Sequence, residues 1–258
     1  NIPIRTELGQ EFRKAFIAEK GNKLLSLDYS QIELRVVAHI AQDNKMIEAF
    51  RSGKDIHTLT AAEVFEVAPD VVSKDMRRQA KVLNFGIIYG MGVSSFAETA
   101  GVSRERAGEF INEYLKDFSG VARYIEKLKN EAREKGYTAT LFGRRRYIPE
   151  IHSPNPMLRS QAERIAINMP IQGLEADIMK KAMIKVSGWI LENKIGSDIR
   201  MLLQVHDELL FEVKEDLIDE TAPKIIKLMQ NVINPHTQPN SVWKALSVGV
   251  NLKVPITA

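Results

Sequence analysis

No cysteine occurs among the 258 residues, which excludes a disulfide framework, a thiolate metal site and a cysteine nucleophile. No apolar run approaches the length needed to cross a bilayer, and no signal-peptide pattern opens the chain, so nothing points to a membrane. No tract is polar or repetitive enough to forecast disorder. Excess charge of one sign is also missing. The 36 Lys plus Arg against 33 Asp plus Glu leave a net of +3, too mild to mark a nucleic-acid binder by composition. The chain opens Asn1-Ile2-Pro3 without an initiating Met, so we expect a fragment or a processed product.

What is present is a core-forming composition, 44% hydrophobic and 27% charged. Positive charge is concentrated at Lys74, Arg77, Arg78 and Lys81 and at Arg144 to Arg146. Such clusters suit phosphates, but solvated faces carry them too. Residues 23–28 read as a buried strand, and Ser30 opens a helix with Ile32, Val36, Val37 and Ile40 at helical spacing. Ser73 caps a helix over 74–89, and further helices cover 104–118 and 121–135, with Gly101, Gly120 and Gly136 as breaks. A hairpin is expected around Gly143, over 138–148. One helix should run over 157–168 and stop before Pro170, and another over 173–193. Residues 199–205 and 208–213 read as strands meeting at His206-Asp207. A helix over 217–233, a loop over 234–240 and a strand over 246–254 complete an α+β order.

Three segments carry chemistry. Asp28 stands where a hydrophobic strand runs out, a place where a carboxylate can meet a cation. Ser30 and Glu33 also have capping-box spacing, so a plain strand-to-helix turn fits equally. The run Gln204-Val205-His206-Asp207-Glu208 sets three polar residues between apolar strands. An ordinary hairpin turn explains it as well as a metal site does, in which Asp28 and Asp207 share hard divalent cations. In the third segment Arg77, Lys81, Phe85 and Tyr89 recur every four residues and form one helical stripe. Two cations followed by two rings suit a nucleotide. An amphipathic helix with solvated cations and core aromatics fits the same spacing. Gly86 inside that helix costs about 1 kcal/mol relative to Ala, which suggests a close approach to its backbone.

Together the three segments resemble the bacterial DNA polymerase I type, family A. Asp28 through Arg35 is similar to its motif A, Arg77 through Gly90 to motif B, and Gln204 through Glu208 to motif C. Connecting stretches agree as well: Gly53-Lys54-Asp55-Ile56-His57, Gly143-Arg144-Arg145, Glu163-Arg164 with Ala166-Ile167-Asn168, and Gln172-Gly173. The resemblance implies a right-hand α+β architecture. An antiparallel palm sheet (1–43 and 158–258) would carry an inserted helical fingers subdomain (44–157, with the motif B helix over 74–89), and the thumb would be absent.

It also implies roles. Asp28 and Asp207, with the Tyr29 backbone carbonyl, would ligate two magnesium ions, one activating the primer 3′-hydroxyl and one holding the triphosphate. Glu208 would be a third catalytic carboxylate, and Lys81 the proton donor to pyrophosphate. Arg77, Lys81 and His57 would hold the triphosphate, Phe85 the sugar and nascent pair, and Tyr89 the template side. Gln31 and Glu33 would complete the dNTP site, with Glu33 filling the space a ribose 2′-hydroxyl needs. Arg164, Asn168, Gln172 and His206 would contact primer-template DNA from the minor groove, where acceptors differ little among base pairs. Phe85 in place of Tyr implies poor use of dideoxynucleotides.

In the family the thumb precedes the residues that begin this chain, and any exonuclease region lies further upstream. A parent chain or a separate chain is therefore expected to supply them. Residues 248–256 depart from the Gly-rich strand ending in Asn-Trp that closes the family, and 234–243 read as an insertion. The expected function is template-directed DNA synthesis from dNTPs, in replication or repair at the cytoplasmic nucleoid. A non-catalytic remnant that binds primer-template or nucleotide is the alternative.

Overall fold

The computed structural model describes residues 6–233 and the strand 250–253. In chain order these are α1 (Glu7–Arg13), β1 (Asn22–Tyr29), α2 (Ile32–Ile40), α3 (Asn44–Arg51), α4 (Ile56–Val64) and α5 (Lys74–Ile88). There follow α6 (Val93–Ala100), α7 (Arg104–Asp117), α8 (Ser119–Lys135), β2 (Tyr137–Ala139), β3 (Arg145–Tyr147) and α9 (Pro156–Glu192). The last elements are β4 (Ile199–Val205), β5 (Glu208–Lys214), α10 (Ile218–Gln230) and β6 (Val250–Lys253). The expected loop over 234–240 and insertion over 234–243 lie outside the described residues, and of the expected final strand only 250–253 lies within them. Helices and antiparallel sheets are both present, in two compact units.

The sheet unit comprises the residues up to Ser30 and those from Ile178 onward through β4, β5 and α10, with β6. Its four strands lie in the order β4-β5-β1-β6. Leu25, Leu27 and Tyr29 alternate along β1 and are buried, facing the same side as Leu209, Phe211 and Val213 of β5. The Tyr29 hydroxyl donates to the Met229 carbonyl of α10 at 2.9 Å, fixing that helix on the sheet. This alternation leaves Ser26 and Asp28 on the other face.

The helical unit runs from Gln31 to Asp177. Ser73 caps α5 as expected, accepting from Met76 N at 3.2 Å, and Gly101 and Gly136 end α6 and α8 in the left-handed region. Gly120 is not a break. It lies in the first turn of α8, where its N–H donates to Asp43 Oδ2 at 2.9 Å, and a Cβ there would come within 2.8 Å of the Asp43 backbone. The Ser30 cap is likewise replaced. Gln31 is the N-cap of α2, with left-handed φ 53° and ψ 43° and no side-chain cap bond.

The largest difference concerns Pro170. Rather than ending one helix, it sits inside the continuous 37-residue α9, whose residues to Asp177 belong to the helical unit and the rest to the sheet unit. Proline has no N–H for the carbonyl four residues earlier, a loss that ordinarily breaks or kinks a helix. Here the orphaned acceptor is Ala166, and the buried Thr138 hydroxyl of β2 donates to it at 3.3 Å.

Candidate active site

In the sheet unit, register builds the acidic site. Asp28 is the last but one residue of β1 and pairs with Glu208, the first of β5. The turn between β4 and β5 is only His206-Asp207, with His206 at φ 53°, a left-handed conformation that costs energy for a non-glycine residue. Tyr29 N–H donates to the Asp207 carbonyl at 3.1 Å, and Gln204 Nε2 to the His206 carbonyl at 2.6 Å. These bonds tie the turn to the strand ends. Asp207 is thereby set beside Asp28, close enough for the two carboxyls to act on each other. Burial and then the Asp28 charge hold the Asp207 carboxyl above the ordinary carboxylate range, against the pull of its own backbone N–H and of His206.

Two oxygen-donor carboxylates pressed together fit a hard cation, which would relieve their repulsion. Glu208 stands next to Asp207 in the sequence. Its carboxylate accepts from the Ser26 hydroxyl, and among the described residues no cluster of three or more His, Asp or Glu side chains gathers.

In the helical unit, α5 resolves the ambiguity of its stripe. Ala80, Leu83, Asn84, Ile87 and Ile88 are buried, while Arg77, Phe85 and Tyr89 are half-buried and Lys81 is exposed. The rings therefore lie on the solvent-accessible face with the cations. Phe85 and Tyr89 stack with centroids 6.4 Å apart, and Phe85 lies 5.9 Å from the His57 ring. What approaches the Gly86 backbone is Met91, whose Sδ would lie 3.2 Å from a Cβ there. Gly90 takes φ +65°, and a Cβ would meet Arg164 Cγ at 2.9 Å, so that turn tolerates only glycine.

Arg77, Tyr89 and His57 each have a partner. Arg77 donates to Asp55 Oδ2 from Nη2 at 2.6 Å and from Nε at 3.2 Å. Tyr89 donates its hydroxyl to the Glu33 carboxylate, 2.7 Å from each oxygen. Burial, the Glu33 hydrogen bond and the Glu33 charge push the Tyr89 hydroxyl well above its ordinary pKa, although Gln172 hydrogen-bonds to it and pulls the other way. Asn84 lies 3.1 Å from His57 Nδ1 and donates to Thr60 Oγ1 at 3.0 Å. Burial holds His57 at about 4, with Asp55 opposing and Arg77 and Lys81 adding to the shift, so its imidazole is neutral at pH 7.

Arg164, Asn168 and Gln172 recur every four residues along α9. Arg164 and Gln172 are exposed, and Asn168 keeps a buried Oδ1 without a hydrogen-bond partner. Of the second arginine cluster, Arg144 is bound to the buried Asp177 at 2.6 and 3.0 Å and Arg145 lies over the Tyr137 ring, so both brace the hairpin. Residue patterns missed Asp55, Asn84 and Thr60. Asp55 alone carried a signal, as an N-cap residue just ahead of α4.

Residues 1–256 match DNA polymerase family A. The chain is 52% identical over 229 residues to DNA polymerase I of Pseudomonas aeruginosa, a match covering 89% of this chain and 25% of that protein. It is 49% identical over 234 residues to DNA polymerase I of Bacillus subtilis, covering 90% and 26%. Among solved structures, the polymerase domain of Pol1 from M. smegmatis, in complex with a DNA primer-template and dNTP, is 41% identical with a TM-score of 0.86. That match covers 98% of this chain and 43% of the other. The chain thus spans about a quarter of the length of these curated relatives.

Proposed function

The chain belongs to DNA polymerase family A, and from that premise we propose that it carries the nucleotidyl-transfer site of a template-directed DNA polymerase, adding dNTPs to a primer 3′-hydroxyl. The observation that carries the reading is the Asp28–Asp207 pair, two carboxyls set side by side at the end of β1 and in the β4–β5 turn. Magnesium bound there, by these carboxylates and the Tyr29 carbonyl, would lower the pKa of the attacking hydroxyl and neutralise phosphate charge.

The chain's own residues do the rest. Lys81, exposed on α5, offers a compact charge to the triphosphate and a proton to the departing pyrophosphate. Arg77 offers a planar fork to the same phosphates. His57 is neutral, and with Nδ1 accepting from Asn84 its proton sits on Nε2, so it serves as a hydrogen-bond donor rather than a cation. Phe85 offers its face to the sugar, and Glu33, held by Tyr89, excludes a 2′-hydroxyl. Gln31 shapes the nucleotide site through its left-handed backbone at the start of α2. Arg164, Asn168, Gln172 and His206 would hold primer-template DNA from the minor-groove side.

In this reading residues 1–43 and 158–258 form the palm and 44–157 the fingers. No described helix is long and apolar enough to cross a membrane; we assign the protein to the cytoplasm, at the nucleoid. The test is primer extension with magnesium and dNTPs, run beside Asp207→Ala. Extension should fall at least ~10³-fold in the variant. A wild-type chain that binds primer-template without extending it would favour a binding role instead.

A further inference from the structure

We propose that Asp55 is a positioning residue for Arg77, holding one edge of its guanidinium so that the opposite edge is presented to the triphosphate of the incoming nucleotide. The proposal rests on the nucleotide reading above and adds to it a residue outside the three motifs.

The two oxygens of Asp55 divide their work. Oδ1 accepts from the backbone N–H groups of His57 and Thr58, at 2.8 and 2.9 Å, and so caps α4. Oδ2 accepts from Arg77 Nε and Nη2. The arginine is therefore tied to a helix terminus, a rigid support, and not to another mobile side chain. Burial alone would raise the Asp55 carboxyl. The Arg77 hydrogen bond, the Thr58 N–H and the charge of Arg77 outweigh it, so the group lies below the ordinary carboxylate range and stays ionised.

The spacing between the helices is fixed as well. Thr60 of α4 donates to the Ile56 carbonyl at 2.9 Å and accepts from the fully buried Asn84 of α5, which also reaches His57. Arg77 and Asp55 thus start from backbones held in register.

A guanidinium has five N–H groups arranged as two bidentate edges. Asp55 takes the edge formed by Nε and Nη2, which leaves the Nη1/Nη2 edge, the one that matches two phosphate oxygens, facing away from it. The pair is nearly half-exposed, 43% at Arg77 and 37% at Asp55, where an ion pair adds little to folding stability. Orienting the arginine before the nucleotide arrives is a use that does not depend on such stability. It removes rotamer freedom that binding would otherwise have to remove.

The test uses the full chain. Asp55→Asn keeps a good N-cap side chain but loses the charge that holds Arg77. In primer extension we expect the dNTP KM to rise about five- to ten-fold with kcat within about two-fold, the signature of lost binding. In an Arg77→Ala background the same substitution should change KM by less than about two-fold, because the residue it acts through is gone. Asp55→Ser, a second capping residue without charge, should reproduce both results and serves if the Asn variant folds poorly. A lowered KM would overturn the proposal by making Asp55 a competitor of the phosphates. An equal rise in the Arg77→Ala background would overturn it by assigning the effect to α4. If Arg77→Ala alone leaves KM unchanged, the nucleotide assignment of Arg77 itself fails. If Arg77→Ala raises KM and Asp55→Asn does not, only the positioning role fails.

Discussion

In the sheet unit, Asp28 and Asp207 are pressed together by the pairing of β1 with β5 and by a two-residue turn. In the helical unit, Arg77 rests on Asp55, Tyr89 donates to Glu33, and Asn84 reaches both His57 and Thr60. The first sets two carboxyls against each other, and the second gives Arg77, Tyr89 and Asn84 each a partner. The contrast follows from what each would bind. A cation needs uncompensated negative charge, which the fold must supply at a cost to itself. A nucleotide needs an oriented surface, and orientation comes from partners already in place. Removing a functional group should therefore stabilise the first unit and loosen the second.

The sharpest way to break this comparison is Asp207→Asn. Activity should fall at least ~10³-fold, while the chain without magnesium should become more stable, not less. The folded pKa of Asp207 is raised above its unfolded value. Its contribution to stability is then present below the unfolded carboxylate pKa and lost as pH rises through the raised folded value. Above that range the charged form bears the cost of burial and of the Asp28 charge, which a neutral amide removes. Urea unfolding in EDTA at pH 7 reads this directly, and a variant less stable than the wild type would refute the picture of stored repulsion. Added magnesium should shift the wild-type midpoint upward and the variant's much less.

Glu33 probes the other unit. Glu33→Ala should lower the preference for dNTPs over rNTPs by ~10²-fold, read as the ratio of kcat/KM values. Glu33→Gln should preserve most of that preference, since it keeps the bulk and can still accept from Tyr89. An unchanged ratio in the alanine variant would sink the assignment of Glu33 to the sugar.

The elements that place these residues were legible where the determining forces are local. The apolar run over 23–28 announced β1, and the polar pair His206-Asp207 between apolar strands announced the β4–β5 turn. Ser73 announced α5, and the four-residue spacing of Arg77, Lys81, Phe85 and Tyr89 announced its face. Spacing alone could not say whether the rings were buried, because that depends on what covers the other side of the helix. What stayed hidden rests on partners distant in sequence. Asp55 lies 22 residues from Arg77, Asn84 lies 27 from His57, and Asp43 lies 77 from Gly120. The Ser30 cap failed because Gln31 takes the left-handed cap position itself. Pro170 misled most plainly, since the hydroxyl that compensates for it comes from another element.

That compensation gives the smallest effect and the finest test of how the helical unit supplies a partner to a buried polar group. Thr138→Val keeps the shape of the side chain and removes the hydroxyl that donates to the buried Ala166 carbonyl. An acceptor left buried without a donor costs about 1–3 kcal/mol, and a 3.3 Å bond argues for the low end, ~1 kcal/mol in urea unfolding. A loss of that size alone would not identify its cause, so Pro170→Ala is needed beside it. Alanine returns a backbone N–H to the helix, one that can reach the Ala166 carbonyl by the ordinary pattern. In that background Thr138→Val should cost less than half as much, because the carbonyl no longer depends on the hydroxyl. Equal cost in both backgrounds would mean that Thr138 stabilises β2 by its packing, and that α9 passes through Pro170 without the help of its hydroxyl.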